Sequence, residues 1–349
     1  MQENLTKWIL ALGFICLSSY SVQPIAAQQK KLILVVGAPG EASFQESFSK
    51  WANSWYDAAA AAQLDTTTIG WAPTSQDVAA EQTDPSSSEA TSEPVESKSR
   101  TDLEKLQAAL TSEPAAEGEE LWLVLIGHGT YDGKSAKFNL QGPDISAEAL
   151  GQLLNARRTK DAQQIVINCA SASSPFINKL SDPSRIVVTA TQHEAQYNFA
   201  RFGGFLAETV GSDGVDLDKD QQISLLELIL AASKQTQKYY AEEDRLATEL
   251  ALIDDNGDGA GTPTDWFQGI RVVRQAKDHP ADGLRANQVF FRENKAADVL
   301  SNSLRQKRDA LERQLADLRA RKPQMEEAIY LAQLEKLAIQ IARLYEQKP

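Results

Sequence analysis

The stretch Leu121-Trp122-Leu123-Val124-Leu125-Ile126-Gly127-His128-Gly129 decides how the chain is read. Six consecutive apolar residues without a charge read as a strand buried on both faces, the kind found inside a parallel sheet. The run ends in Gly-His-Gly, which puts one imidazole at the strand's carboxyl edge, where open α/β sheets gather ligands and chemistry. A second strand of the same kind, Gln164-Ile165-Val166-Ile167-Asn168-Cys169, delivers Cys169 to its own carboxyl end. Small residues follow it, Ala170-Ser171-Ala172-Ser173-Ser174. Two parallel strands, one ending in an imidazole and one in a thiol, predict a cysteine nucleophile with its base.

Outward from these strands the pattern alternates. Residues 31–36 read as a first strand and Gly37-Ala38-Pro39-Gly40 as a plain turn, since a phosphate loop would need a Lys-Ser/Thr ending. Phe44, Phe48, Trp51 and Trp55 then recur at helical spacing within 42–62. Residues 65–71 read as a strand, Leu103, Leu106 and Leu110 as a short helix, and 138–140 as a hairpin arm. Ser146 is a helix N-cap with Leu150, Leu153 and Leu154 behind it, and 185–191 is a further strand. Strands alternating with helices predict an α/β fold, a three-layer sandwich with a mainly parallel sheet. Between them, residues 72–100 are rich in Ser, Thr, Glu, Ala and Pro and read as a flexible acidic loop open to proteolysis.

The net charge of −13 argues against nucleic-acid or anionic-membrane partners, which select basic patches. Lys7, the apolar run 8–17 and Pro24-Ile25-Ala26-Ala27 have the order of a secretory signal over residues 1–27, cleaved after Ala27; an uncleaved anchor is the alternative. The context of Cys16 is not that of a lipoprotein signal. The chain is therefore expected to be exported, to a periplasm, a cell surface or the medium. Removing the signal leaves Cys169 alone, so cysteine is not used for stapling, and the thiol is either a buried small apolar residue or a nucleophile.

The order strand–Gly-His-Gly, strand–Asn-Cys-Ala-Ser, strand–Thr-Ala-Thr resembles the caspase-like clan of cysteine peptidases, most closely its legumain-type branch, over residues 31–209. The resemblance implies a largely parallel six-stranded sheet and a Cys–His dyad that hydrolyses peptide bonds through a thioester acyl-enzyme. By motif, His128 would be the general base and acid and Cys169 the nucleophile. The amides of Gly129 and Cys169 would form the oxyanion hole. Asn168 departs from the acidic-then-small sequence usual in legumains, which bears on residue specificity. Independently, a nearby imidazole and a following helix N-terminus would favour a thiolate. His193 is a rival base, a pocket residue or an exposed side chain, and Arg201 would suit an acidic substrate or pair on the surface.

Residues 216–227 match a twelve-residue calcium loop, with Asp216, Asp218 and Asp220 at positions one, three and five. Gln222 would offer its backbone carbonyl and Glu227 both carboxylate oxygens, while Gln221 stands where glycine normally makes the sharp turn. A structural Ca²⁺ or a solvated acidic turn are the two readings. Asp254, Asn256 and Asp258 begin a second loop that lacks the apolar residue at eight and the glutamate at twelve. It would pair with the first through a helix spanning 225–252.

From 296 to 349 two amphipathic stripes flank Lys322-Pro323, which predicts a helical hairpin or short coiled coil used for self-association, for partner docking or for packing on its own domain. The expected organisation is thus 28–212 as the peptidase-like domain, 213–295 as a calcium-loop extension and 296–349 as the helical tail. The leading expectation is an exported cysteine endopeptidase acting on a peptide or protein. A catalytically inactive calcium-dependent binding or scaffold protein is the alternative.

Overall fold

In the computed structural model the apolar runs set the register of one sheet. The described residues are 29–73, 100–159, 161–212, 214–292, 294 and 300–347, so the signal segment and most of the acidic loop lie outside them. Strand β1 (Lys30–Val36) leads through α1 (Ala42–Ala61) to β2 (Asp65–Ile69). Helix α2 (Asp102–Thr111) precedes β3 (Glu120–Ile126), every residue of which is buried. A small antiparallel sheet follows, β4 (Gly129–Tyr131), β5 (Ala136–Phe138) and β6 (Ile145–Ser146), which takes in the expected hairpin arm. Then come α3 (Ala147–Ala156), β7 (Gln163–Asn168), α4 (Pro175–Leu180) and β8 (Arg185–Thr189). Ser146 caps α3 by accepting from the Ala149 amide at 3.1 Å.

The second half adds α5 (Phe202–Val210), α6 (Leu225–Glu242), β9 (Leu252–Asp254), β10 (Thr262–Pro263), a small ribbon of β11 (Phe267–Gln268) and β12 (Arg271–Val272), α7 (Asn302–Arg321) and α8 (Glu327–Tyr345). The main sheet has seven strands in the order β10-β9-β8-β7-β3-β1-β2. Strands β2, β1, β3, β7 and β8 run parallel, and β9 and β10 close one side antiparallel. The α/β architecture and the mainly parallel sheet agree with the sequence reading, whereas the sheet has one strand more than the six that the resemblance implied.

Period-two alternation splits the core into two layers. Leu32, Leu34, Trp122, Val124, Ile165, Ile167 and Cys169 face α1, α5 and α6. Ile33, Val35, Leu121, Leu123 and Val166 face α2, α3 and α4. Buried charge ties the second layer together. Arg157, after α3, donates from Nε and Nη2 to Glu119 at 3.2 and 2.8 Å. Arg185, fully buried, binds Gln164 Oε1, Asn155 Oδ1 and the Leu180 carbonyl, and burial brings its guanidinium down to about 10.

Two expectations for the second half are corrected. Helix α6 stops at Glu242 because Asp244 turns the chain at φ 50°, and residues 252–254 join the sheet as β9. The second acidic loop therefore lies between two strands, not between helices, and does not form a helix-joined pair with the first. The two helices expected in the tail do form, with Pro323 in the 3₁₀ turn between them. Helix α7 meets the body through Arg313, which donates to Gln288 Oε1 at 2.8 Å, and through Arg305 over the Phe290 ring.

Candidate functional site

The strand order reverses at β1, so the crevice outside β1 and β3 is where this architecture usually receives a ligand. Here the chain fills it. The Gly37 amide donates to Ile126 O, Ala38 N donates to Asn139 O, and Asn139 N donates to His128 O. The Phe138 ring lies so close to Gly37 and Gly127 that a Cβ at Gly127 would meet it at 2.9 Å.

His128 and Cys169 arrive at the same edge of the sheet, on adjacent strands and on the α1 side, but no hydrogen bond joins them. His128 Nε2 stands 3.2 Å from Pro39 O. Its ring is walled by Phe44 at 4.9 Å, Phe48 at 5.2 Å and Phe199 at 6.0 Å between centroids. The phenylalanines at 44 and 48 reach it because they lie one turn apart on α1.

Cys169 is an extension of β7. Its amide donates to Leu125 O at 2.9 Å, continuing the ladder with β3 one residue past the strand. Its side chain is 1% exposed and lies under Gly203, in the same core layer as Trp51. A Cβ on Gly203 would fall 2.6 Å from Cys169 Cβ and 3.2 Å from Sγ. Burial, and secondarily the negative charge of Glu249, push the thiol up to about 12. A thiol held protonated is a poor nucleophile.

The amides assigned to an oxyanion hole are likewise engaged. Gly129 N donates to Ser171 Oγ at 3.4 Å, and that hydroxyl donates back to Gly129 O at 3.2 Å. The turn leaving β7 is sewn down, with Ala170 N on Asn168 Oδ1 and Ser173 N on Thr191 Oγ1. No protein-family model matches the chain, and no curated protein matches it.

His193 is exposed on the loop after β8, its amide donating to Gln196 Oε1. Arg201 stacks over Tyr239 at 4.3 Å and lies 5.7 Å from the Phe199 ring centre, as a flat guanidinium does on aromatic faces. Glu249 carried no signal in the sequence. Its carboxylate, 3% exposed, accepts from the amides of Arg201 and Phe202 and from the Tyr240 hydroxyl, and so satisfies the start of α5. Burial raises it above the ordinary carboxylate range.

The first acidic loop lies between α5 and α6. Carboxylate oxygens of Asp216, Asp218 and Glu227 come within 4.8 Å of one another. Gln221 N donates to Asp216 Oδ2, Asp220 N to Asp218 Oδ1 and Gln222 N to Asp220 Oδ1. Gln221 takes the left-handed conformation, φ 69°, that glycine would have supplied. Partial burial, with Asp220, Glu227 and Asp216 adding charge, pushes Asp218 up to about 6. Asp216 Oδ1 is buried without a hydrogen-bond partner. Glu227 instead accepts from Ser224 and from the amides of Leu217 and Asp218. This donor set of crowded oxygens suits a hard cation.

Proposed function

We propose that the chain is an exported, calcium-braced scaffold built on a caspase-like arrangement and without thiol peptidase activity. One observation carries the reading: the only cysteine outside the signal segment is a core residue, its thiol under Gly203 and its amide in the ladder. The filled crevice beside β1 supports it. The Asp216, Asp218 and Glu227 oxygens support calcium as the brace, which would hold the α5–α6 connection in place. The tail supports assembly, with Ile329, Leu331 and Ile339 of α8 each close to half exposed.

Peptide hydrolysis is the second reading, favoured by His128 and Cys169 ending adjacent parallel strands on one side of the sheet. Iodoacetamide labelling with a peptide-library screen separates the two. A scaffold predicts labelling only after denaturation and no cleavage. Rapid labelling of the native protein below the ordinary thiol range, slowed by His128→Ala, would establish the peptidase instead. Sedimentation of Ile339→Asp against wild type tests the assembly role, which requires the wild type alone to self-associate or to retain a partner.

A further inference from the structure

The turn 254–260, which joins β9 to β10, repeats the shape of the first acidic loop. Gly257 and Gly259 have φ 77° and 79°, where the first loop has Lys219 and Gln221 at 63° and 69°. Asn256 Oδ1 accepts from Asp258 N, and Asp258 Oδ1 from Ala260 N, both at 2.8 Å. The chain makes that shape with its own hydrogen bonds, and the shape by itself identifies no occupant.

The pointer to a ligand is Asp254. It is 1% exposed, and its Oδ1 accepts from Gly257 N at 2.9 Å, so the carboxylate faces into the turn. Its Oδ2 is buried with no hydrogen-bond partner. A buried carboxylate oxygen without a donor is unfavourable, and a cation relieves it. The neighbouring guanidinium acts on it as a charge but donates no hydrogen bond to it: Arg285 Nη1 is committed to the carbonyls of Asp255 and Pro183 at 2.6 and 2.7 Å.

We propose that this turn is a second, independent site for a hard divalent cation of the calcium class. Its ligands are Asp254 Oδ2, Asn256 Oδ1, the Asp258 carboxylate and the Ala260 carbonyl, with water completing the shell. Oxygen donors of mixed type on a flexible turn suit Ca²⁺ better than Mg²⁺, which demands near-ideal octahedral geometry. The surroundings pre-form the site. Asp282 Oδ1 accepts from the amides of Asp255 and Asn256, Asn256 Nδ2 donates to Pro280 O, and His279 Nδ1 lies 3.2 Å from Asp258 Oδ2. Asp265, at the twelfth position, is exposed on the 3₁₀ turn after β10 and supplies nothing. With fewer protein oxygens, this site binds more weakly than a complete twelve-residue loop.

The location gives the ion a task distinct from that of the first loop. Asp254 ends β9 opposite Val187, midway along β8, and the turn beyond it lies by Asp182 and Pro183, at the amino end of the parallel strands and away from His128. An ion there pins the antiparallel edge of the sheet to its own turn.

Equilibrium dialysis of the full chain against radioactive CaCl₂ tests the site, with Asp254→Asn, Asp258→Asn and Asp216→Asn as variants and circular dichroism as the folding control. Two ions per wild-type chain are expected. Asp254→Asn abolishes one of them, Asp258→Asn weakens the same one at least about tenfold, and Asp216→Asn removes only the other. Asp258 is exposed, so its variant decides if Asp254→Asn fails to fold. One wild-type ion that survives both loop variants and is lost in Asp216→Asn overturns the proposal. One ion lost in Asp254→Asn and kept in Asp216→Asn sustains it and overturns calcium at the first loop instead. No binding at all overturns both.

Discussion

Replacing Cys169 with alanine should reverse the stability ranking of mutant and wild type between neutral and alkaline pH. Burial and the charge of Glu249 push the folded-state thiol up to about 12 from an ordinary 9.0. The native protein therefore keeps a proton that the unfolded chain releases above that ordinary value. Between the two values unfolding loses a proton, so wild-type stability falls as pH rises, by about 1.4 kcal/mol per pH unit. By a pH of about 10.5 the loss is about 2 kcal/mol, and the alanine variant has no such thiol to lose. Tyrosines and lysines titrate in the same range in both proteins and cancel in the difference. Near pH 7.5 the thiol is neutral in both states, and the variant is less stable only by the packing of one sulfur, about 1 kcal/mol. Urea unfolding followed by tryptophan fluorescence measures both differences. A gap that is the same at the two pH values would refute the buried-thiol argument. A wild type that gains on the variant as pH rises toward 9 would mean a thiolate stabilised in the fold, as a catalytic dyad requires.

Gly203→Ala places a Cβ 2.6 Å from Cys169 Cβ and 3.2 Å from Trp51 Cζ3, and should cost about 1–3 kcal/mol in thermal unfolding. Cys169→Gly in the same background should recover part of that loss, and strict additivity of the two would disprove the contact. Arg157→Leu strands Glu119, which is 1% exposed, and should cost about 3 kcal/mol in urea, toward the lower end for a broken buried pair. Lys31, 3.5 Å from the same carboxylate, limits the damage, so the double change with Lys31→Met should be clearly worse. Glu227→Gln should weaken calcium at the first loop at least about tenfold and reduce, without abolishing, the fall in melting temperature expected when EDTA is added to the wild type, because the Asp254 turn keeps its own ion. An unchanged EDTA response would remove Glu227 from the site.

The central strands were legible because a strand buried on both faces shows an unbroken apolar run, as residues 121–126 of β3 and 165–167 of β7 do. Which face Cys169 takes was not read from the sequence; in the fold, alternation along β7 puts it on the α1 side with Ile165 and Ile167. The state of the thiol was not legible, because it depends on elements remote in sequence. Leu125 extends the ladder to Cys169, Gly203 of α5 covers it, and Glu249 adds charge from beyond α6. The phenylalanines at 44 and 48 read only as a helical stripe, and Phe199 sits in a loop with no periodicity to mark it. Strand β9 was missed because three residues are too short for alternation to register. The left-handed turn at Gln221 shows the reverse case, in which the carboxylates of a loop hold a conformation that its sixth residue does not favour.

The two edges of the main sheet differ in one respect that bears on how copies of this chain could meet. Strand β10 is two residues long and ends in Pro263, which has no amide hydrogen to offer a further strand. Strand β2 at the other edge runs Asp65-Thr66-Thr67-Thr68-Ile69, and among the described residues no further strand pairs with its outward side. Sheet-to-sheet addition through β2 would join two molecules by a two-fold axis and leave a proline at each outer end. Such a pairing would use β2 of both molecules, so sheet addition through this edge would not pass beyond two copies.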